Sequence, residues 1–365
     1  MAKSGKKSKP VKKKAVKKVL KRTRVKVVKK RLKNKRPVKK SEVFKKFPSN
    51  PIIIPKEENF WEAWQTFNPG AVTAGGRIHF IYRAIGRDGL SRFGYAFSDD
   101  GFAVGGRRPD YVFEHPIVGA GGYFYYGSGG SFGGCEDPRL TEIKKDARVY
   151  MTYTACDNGL RVGLTSIRTE DFLKNKWEWK KPALISKPGE HHKNWVIFPE
   201  KIGGRYAILH SLNPKVVVAY LDNLDFEEGQ FIESGYGGAE RKNVWDSLIR
   251  GVGAPPLKTE DGWLVFYHSI DVKDPGKYKV GALLLDLKNP EKILYRSAKP
   301  LLEPAENYEN LGFKSGVVYV SGAVIRDGRL IIYYGGADNY VCAASADLGE
   351  FLKELKKDGK EKKKK

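Results

Sequence analysis

Residues 78–82 read IHFIY, 149–153 VYMTY, 206–210 YAILH, 263–267 WLVFY and 330–334 LIIYY. Each is a short apolar run, and four of the five end on Tyr, the third ending on His210. Runs rich in β-branched and aromatic residues and bounded by turn residues read as strands. A turn precedes each one: Gly75 with Gly76, Asp146 with Ala147, Gly203 with Gly204, Asp261 with Gly262, and Asp327 with Gly328. After a polar loop comes a second strand richer in small residues, at 93–98, 161–166, 216–221, 280–285 and 341–345.

Corresponding positions recur roughly every 57 to 71 residues, enough for four strands with their loops. A repeated antiparallel sheet cannot bury both faces by itself; radial stacking of the repeats does so and leaves only short edges. The expected fold is therefore all-β, a five-bladed β-propeller. A β-sandwich is the alternative, and it does not explain the fixed period. Only the ends look helical, at residues 59–65 and 348–355.

Outside this frame the chain changes character. Its net charge is +25, yet residues 1–50 hold about 23 Lys and Arg against the single Glu42. The last fifteen residues add roughly +5, which leaves 51–350 near neutrality, at about −2. Three segments are expected: a basic, disordered tail over 1–47, a catalytic propeller over 48–351, and a Lys-rich tail over 352–365. Too few apolar residues to pack and dense like charge account for the disorder. Such an arm either binds nucleic acid or an anionic surface without sequence preference, or only solubilises the chain.

Three cysteines (Cys135, Cys156, Cys342) without a CxxC pair argue against a disulfide framework and against structural zinc. No apolar run has the length of a secretory signal or a membrane span. A cytoplasmic protein without metal or cofactor is expected.

The chemistry-bearing residues cluster just before and after the repeats. Gly133-Gly134-Cys135-Glu136-Asp137-Pro138-Arg139 places two adjacent carboxylates before a proline, which keeps them out of a helix. Arg139 could pin one carboxylate and leave the other as an acid; a surface turn with a local ion pair is the plainer reading. Further clusters are residues 192–201 with Lys193 and Lys201, Trp245-Asp246-Ser247 through Arg250 to His268, and Gly335-Gly336-Ala337-Asp338. Their recurrence at equivalent places in successive repeats is how a propeller converges polar groups on its axis. The glycine-rich run 119–134 lacks the GK[ST] ending and following helix of a nucleotide loop; its aromatics suit a loop covering a sugar.

From about residue 50 to 355 the chain resembles the β-mannoside phosphorylases and related hydrolases of glycoside hydrolase family 130. The resemblance is carried by FNPGAV (67–72), YRA (82–84), GCEDPR (134–139), FPEKI (198–202), GAPP (253–256), GWLVFYH (262–268), SGAV (321–324) and YYGGAD (333–338). It implies a five-bladed propeller, in agreement with the repeat count. It implies Asp137 as general acid, protonating the leaving oxygen through a hydroxyl of the bound mannose. Asn68, Arg83 and Asp338 would hold the sugar in the −1 subsite. Lys193, Asn194, Arg250 and His268 would form the phosphate site. The partners would be a β-mannoside oligosaccharide and inorganic phosphate, the latter a co-substrate, with α-mannose 1-phosphate as product.

One departure bears on the acceptor. Ser211 follows His210 where many phosphorylases carry Arg, and Lys193 stands where Arg is expected, a change that matters for bidentate phosphate binding. A phosphorylase needs one catalytic carboxylate, because phosphate is itself the nucleophile. An inverting hydrolase needs a second, to activate water. Glu200, Asp246 and Glu306 are the candidates. An inverting phosphorylase is the leading expectation, beside an inverting β-mannoside hydrolase and a non-catalytic glycan-binding propeller.

Overall fold

The computed structural model describes residues 43–116, 130–156, 159–235, 238 and 240–358. The basic arm up to residue 42, most of the glycine-rich run before residue 130 and the last seven residues lie outside them, and with them the expected polyanion contact.

The described chain is all-β, and its antiparallel sheets follow the repeats. In the first unit, strands Gln65–Ala74, Arg77–Ile85 and Ser91–Ser98 pair in sequence, with Gly106–Arg107 on the edge. The second unit repeats this with Gly134–Ile143, Arg148–Cys156, Leu160–Arg168 and Ala183–Leu184. One parallel pairing, Ser91 with Gly134, joins these two units into a single sheet. The third is smaller: Val196–Ile197, Tyr206–Ser211 and Val217–Leu221. The fourth has Leu248–Val252, Gly262–Asp271, Asp274–Leu285 and Ile293–Arg296, and the fifth has Val318–Arg326, Arg329–Gly336 and Tyr340–Asp347.

The repeated Tyr has a physical role. Tyr82, Tyr153 and Tyr267 each lie over a glycine of the next strand, Gly94, Gly163 and Gly281, where any Cβ would collide with the ring. Each buried hydroxyl then finds a partner: Glu62 for Tyr82, His115 for Tyr153, Asp246 for Tyr267 and Glu309 for Tyr334, all at 2.7–2.8 Å. The third unit substitutes His210, bonded through Nδ1 to Ser234. A buried hydroxyl left unpaired would be costly, so the aromatic and its partner form one device.

Five buried apolar clusters lie between consecutive units. Units one and two share Ile81, Phe93 and Met151; two and three share Leu164, Ile197 and Ile208; three and four share Leu209, Val252 and Val265. Units four and five share Leu284, Val320 and Ile332, and units five and one share Ile331, Phe80 and Ala71.

Both ends of the packed chain reach past the boundaries expected from composition. Lys45–Lys46 pairs antiparallel with Tyr340–Asp347, adding an N-terminal edge strand to the last unit. Phe44 and Phe47 on either side are buried, a gain of roughly 1.5–3 kcal/mol each, so the packed chain already includes residues 44–47, which the composition had given to the tail. At the other end, helix Leu348–Asp358 buries Phe351, Leu352 and Leu355 against Phe44 and Phe266, so the Lys-rich tail begins after 352. The charge count hides this, because the lysines sit on the opposite helix face. The turn expected at 59–65 is a 3-10 helix, Phe60–Glu62, and two short helices not foreseen are Thr169–Leu173 and Asn307–Asn310. No helix among the described residues is long and apolar enough to cross a membrane.

Candidate active site

The first strand of four units carries an irregularity within two residues of its pairing with the repeated Tyr. Asn68 and Pro69 are skipped between Phe67 and Gly70, and Asp137 and Pro138 between Glu136 and Arg139. In the fourth and fifth units the skipped residues are Arg250 and Ser321. Bulges re-aim side chains, and proline, with no N–H to give the ladder, is tolerated in them. Asn68 (φ 45°), Asp137 (φ 51°) and Asn194 (φ 68°) hold left-handed backbone, which Asn and Asp accept more readily than other side chains. Neighbouring units then lock together. Ser321 donates to the Pro69 carbonyl at 3.1 Å, Thr141 to Ile197 at 3.1 Å, and Thr152 to Trp195 at 2.7 Å.

Two of the residues expected at a sugar subsite, Asn68 and Arg83, meet the expected acid Asp137 and its neighbour Glu136. Arg83 is buried under the Phe67 ring, 4.7 Å from its centroid, and its Nε donates to Ser91 at 2.9 Å. Nη2 lies 3.2 Å from Glu136 Oε1, and Nη1 lies 3.6 Å from Asp137 Oδ1. Asn68 Nδ2 donates to the same Asp137 oxygen at 2.8 Å. Burial alone would raise the Asp137 carboxyl, but Arg83, Arg139, the Asn68 hydrogen bond and Lys193 outweigh it and hold it below the ordinary carboxylate range.

Asp338 is the counterpart. Burial pushes its carboxyl up to about 6 against the opposing pull of Lys314 and Arg83, with Asp137 and Glu136 adding to the rise. Among the described residues nothing donates a hydrogen bond to this carboxylate, although the residue is only 8% exposed. Two carboxylates near one arginine, pushed in opposite directions, is an arrangement suited to distinct roles.

Arg139 does not pin a carboxylate as expected. Its Nε donates to Gly253 O at 2.8 Å, and its Nη1 to the backbone carbonyl of Asp137 at 2.6 Å. Nη2 donates to Asn194 Oδ1 at 2.8 Å and reaches Tyr319 OH at 3.1 Å. This fully buried guanidinium thus ties segments of several units together and fixes the backbone that aims Asp137. Tyr319, absent from the sequence reading, donates to Asn194 Oδ1 at 2.8 Å, and its ring stacks on His268 at 3.7 Å. Its isolated position in the sequence, with partners far along the chain, gave no signal.

His268 is wholly buried under that ring and bonds Val320 O through Nε2 at 2.7 Å. Burial and the nearby Arg139 push it down to about 3, so it is neutral and supplies no cation to an anion. Asn194 is also engaged: Oδ1 accepts from Arg139 and Tyr319, and Nδ2 donates to Arg250 O at 3.1 Å. Lys193 and Arg250 line one cavity with Asn194, His210, Ser211, Asn213 and Gly251, with no carboxylate among its described lining residues. Ser211, where an Arg was expected, is therefore in the wall of that cavity. Lys193 also reaches toward the neighbour of Asp137, with Nζ 3.9 Å from Glu136 Oε2.

The three candidates for a second carboxylate are placed elsewhere. Glu200 is half-exposed and paired with Lys258, Asp246 is held by Tyr267, Arg241 and Arg296, and Glu306 caps helix Asn307–Asn310. Among the described residues no group of three or more His, Cys, Asp or Glu could hold a metal ion.

With this geometry in view, comparison with known proteins is specific. A family model described as β-1,4-mannooligosaccharide phosphorylase matches residues 29–357. The 1,2-β-oligomannan phosphorylase of Thermoanaerobacter sp. (strain X514) is 33% identical over 317 residues, covering 83% of this chain and 97% of that protein. The β-1,2-mannobiose phosphorylase of the same organism is 31% identical, covering 81% and 94%. The structure of the Listeria innocua β-1,2-mannobiose phosphorylase in complex with β-1,2-mannobiose superposes with a TM-score of 0.68. That match covers 86% of this chain and 99% of the other at 24% identity, a likeness of fold.

Proposed function

The chain belongs to glycoside hydrolase family 130, the β-mannoside phosphorylases and related hydrolases, and we propose that it is an inverting phosphorylase. It cleaves β-mannosides with inorganic phosphate and releases α-mannose 1-phosphate. β-1,2-Linked oligosaccharides are the first substrates to consider, because the curated relatives spanning most of the chain bear names with that linkage. The five units are the blades of a propeller; the five inter-unit clusters, including one between the last unit and the first, support this. A reducing cytoplasm suits three unpaired cysteines.

The observation that carries the phosphorylase reading is the pairing of one acid site with one cationic cavity. Asn68, Arg83 and Asp338 hold the mannose, Asp338 by accepting from sugar hydroxyls. Phosphate sits between Lys193 and Arg250 and attacks C1 as the glycosidic C1–O bond breaks. The proton that began on Asp137 passes through a sugar hydroxyl to the departing oxygen, and the phosphate brings the proton that restores the acid. Lys193, Asn194 and Arg250 shape the phosphate cavity, and His268 supports it from beneath through Tyr319. The described cavity lining holds no carboxylate of the kind an inverting hydrolase uses to activate water, which favours phosphate as acceptor.

Before phosphate binds, Asp137 is ionised at neutral pH, given its depressed carboxyl. Phosphate balances the charge of Lys193 and Arg250, and this lets the carboxyl take up the proton it delivers.

The test is incubation of purified protein with β-1,2- and β-1,4-mannobiose, with and without phosphate, assaying mannose 1-phosphate and free mannose. Mannose 1-phosphate formed only with phosphate supports the reading. Free mannose formed regardless of phosphate makes the protein a hydrolase, and binding without any product makes it a glycan-binding propeller.

A further inference from the structure

Glu136 is 1% exposed and stands between the two halves of the site. One carboxylate oxygen faces Arg83 Nη2 at 3.2 Å, and the other faces Lys193 Nζ at 3.9 Å. Arg83 also faces Asp137, so one guanidinium is divided between two adjacent carboxylates. Lys193 lines the phosphate cavity. A buried charge so placed is costly unless paired; the Cys156 thiol also hydrogen-bonds it, and each of its two cation partners leads to a different substrate.

We propose that Glu136 is a positioning residue that links the two substrates: it divides Arg83 with Asp137, tethers Lys193, and thereby couples filling of the phosphate cavity to proton uptake by Asp137. This rests on the phosphorylase reading. Phosphate competes for Lys193, and Glu136, losing part of that partner, draws more strongly on Arg83. Asp137 then loses part of its stabilising cation and holds its proton more firmly. The Glu136 charge acts in the same direction at every stage, because a nearby anion disfavours ionisation of a second carboxyl.

The groups facing Asp137 are Arg83, Arg139, Lys193, Asn68, Tyr319, His268 and Asp338, and Glu136 stands beside it in sequence and shares Arg83. The cations and the Asn68 hydrogen bond favour the ionised acid, while Glu136 and Asp338 oppose them. His268 is neutral across the working range and does not alter the balance. Glu136 alone of these touches both Arg83 and Lys193.

The experiment is phosphate titration by calorimetry at pH 8, where free phosphate is almost wholly dianionic, in buffers of different ionisation enthalpy. The wild-type chain is expected to take up a fraction of a proton per phosphate bound, and Glu136→Gln less than half as much. The kcat profile of Glu136→Gln should also lose its alkaline side, falling about tenfold more at pH 8 than at pH 5.5 relative to wild type. Lys193→Gln, at saturating phosphate, should move the alkaline limb the other way, and it keeps the test available if Glu136→Gln does not fold. Unchanged proton uptake, or a uniform fall in kcat at all pH values, reduces Glu136 to a structural ion pair and overturns the inference alone. Failure of the wild-type chain to bind phosphate overturns both it and the phosphorylase reading.

Discussion

Asn68 and Asp137 leave equivalent bulges of neighbouring units and meet, Asn68 Nδ2 donating to Asp137 Oδ1 at 2.8 Å. Gly335 makes the meeting possible. A Cβ added there would lie well inside contact of Asn68 Oδ1 and within 3.1 Å of the Asn68 backbone nitrogen. We expect Gly335→Ala to displace the Asn68 amide and lower kcat by about tenfold to a hundredfold through loss of the hydrogen bond that orients the acid. Overpacking of this kind should cost about 1–3 kcal/mol, read as a lower Tm. An unchanged kcat in a folded variant would show that Asn68 does not orient the acid.

Asp137→Asn isolates the proton itself. Asn accepts the left-handed backbone of this position, so the bulge should survive. Turnover should fall by about 10²–10⁴ while mannoside affinity is kept, measured by product release and calorimetry. The stability change has a definite sign. A carboxyl held below its unfolded value stabilises the fold above that value and loses this as pH falls through the folded one. Asp137→Asn should therefore lower Tm at pH 7, and the difference should shrink toward acid pH.

Asp338 has the opposite sign. Its carboxyl, raised to about 6, favours the fold at low pH, and that contribution is lost as pH rises through 6. The shift is worth about 2 to 3 kcal/mol. Asp338→Asn, which also suits a φ of 48°, should raise Tm at pH 8 and gain nothing at pH 4. The same substitution should weaken mannoside binding sharply, since the carboxylate otherwise accepts from sugar hydroxyls. In the unaltered protein the KM for mannoside should rise as pH falls below 6. Stability gained at the expense of binding is the expected pattern for a residue kept for function.

How much of this was legible differs from element to element. The five repeats were readable because a Tyr-ended apolar run and its preceding turn are local, and the strands form where those runs lie. The partner of each buried hydroxyl was not, since Glu62, His115 and Asp246 precede their tyrosines by different intervals. Asn68-Pro69 and Asp137-Pro138 did carry a signal: an Asn or Asp before proline, one strand ahead of the repeated Tyr, marks a bulge. Arg139 misled because its neighbour in sequence is a carboxylate, while the acceptors for its Nε and Nη2 lie on segments reached only after 55 or more residues. The resemblance put His268 in the phosphate site as it did Lys193 and Arg250, and burial, invisible in sequence, removes its charge.

Ser211 gives a test by addition. It lines the cavity with Lys193 and Arg250, and its hydroxyl is occupied only by the nearby Asn213 carbonyl at 3.3 Å among the described contacts. A guanidinium introduced here meets no carboxylate among the lining residues, so its charge would be directed to whatever anion fills the space. The planar fork of Arg can grip two phosphate oxygens, which the single ammonium of Lys193 cannot. We expect Ser211→Arg to lower the phosphate KM about fivefold to tenfold, equivalent to about 1 to 1.4 kcal/mol, with the mannoside KM unchanged. Ser211→Lys should give a smaller gain, because it adds charge without the fork. Were both variants to leave the phosphate KM where it stands, the anion would have to bind away from Ser211. The roles given to Lys193 and Arg250 would then fall with it.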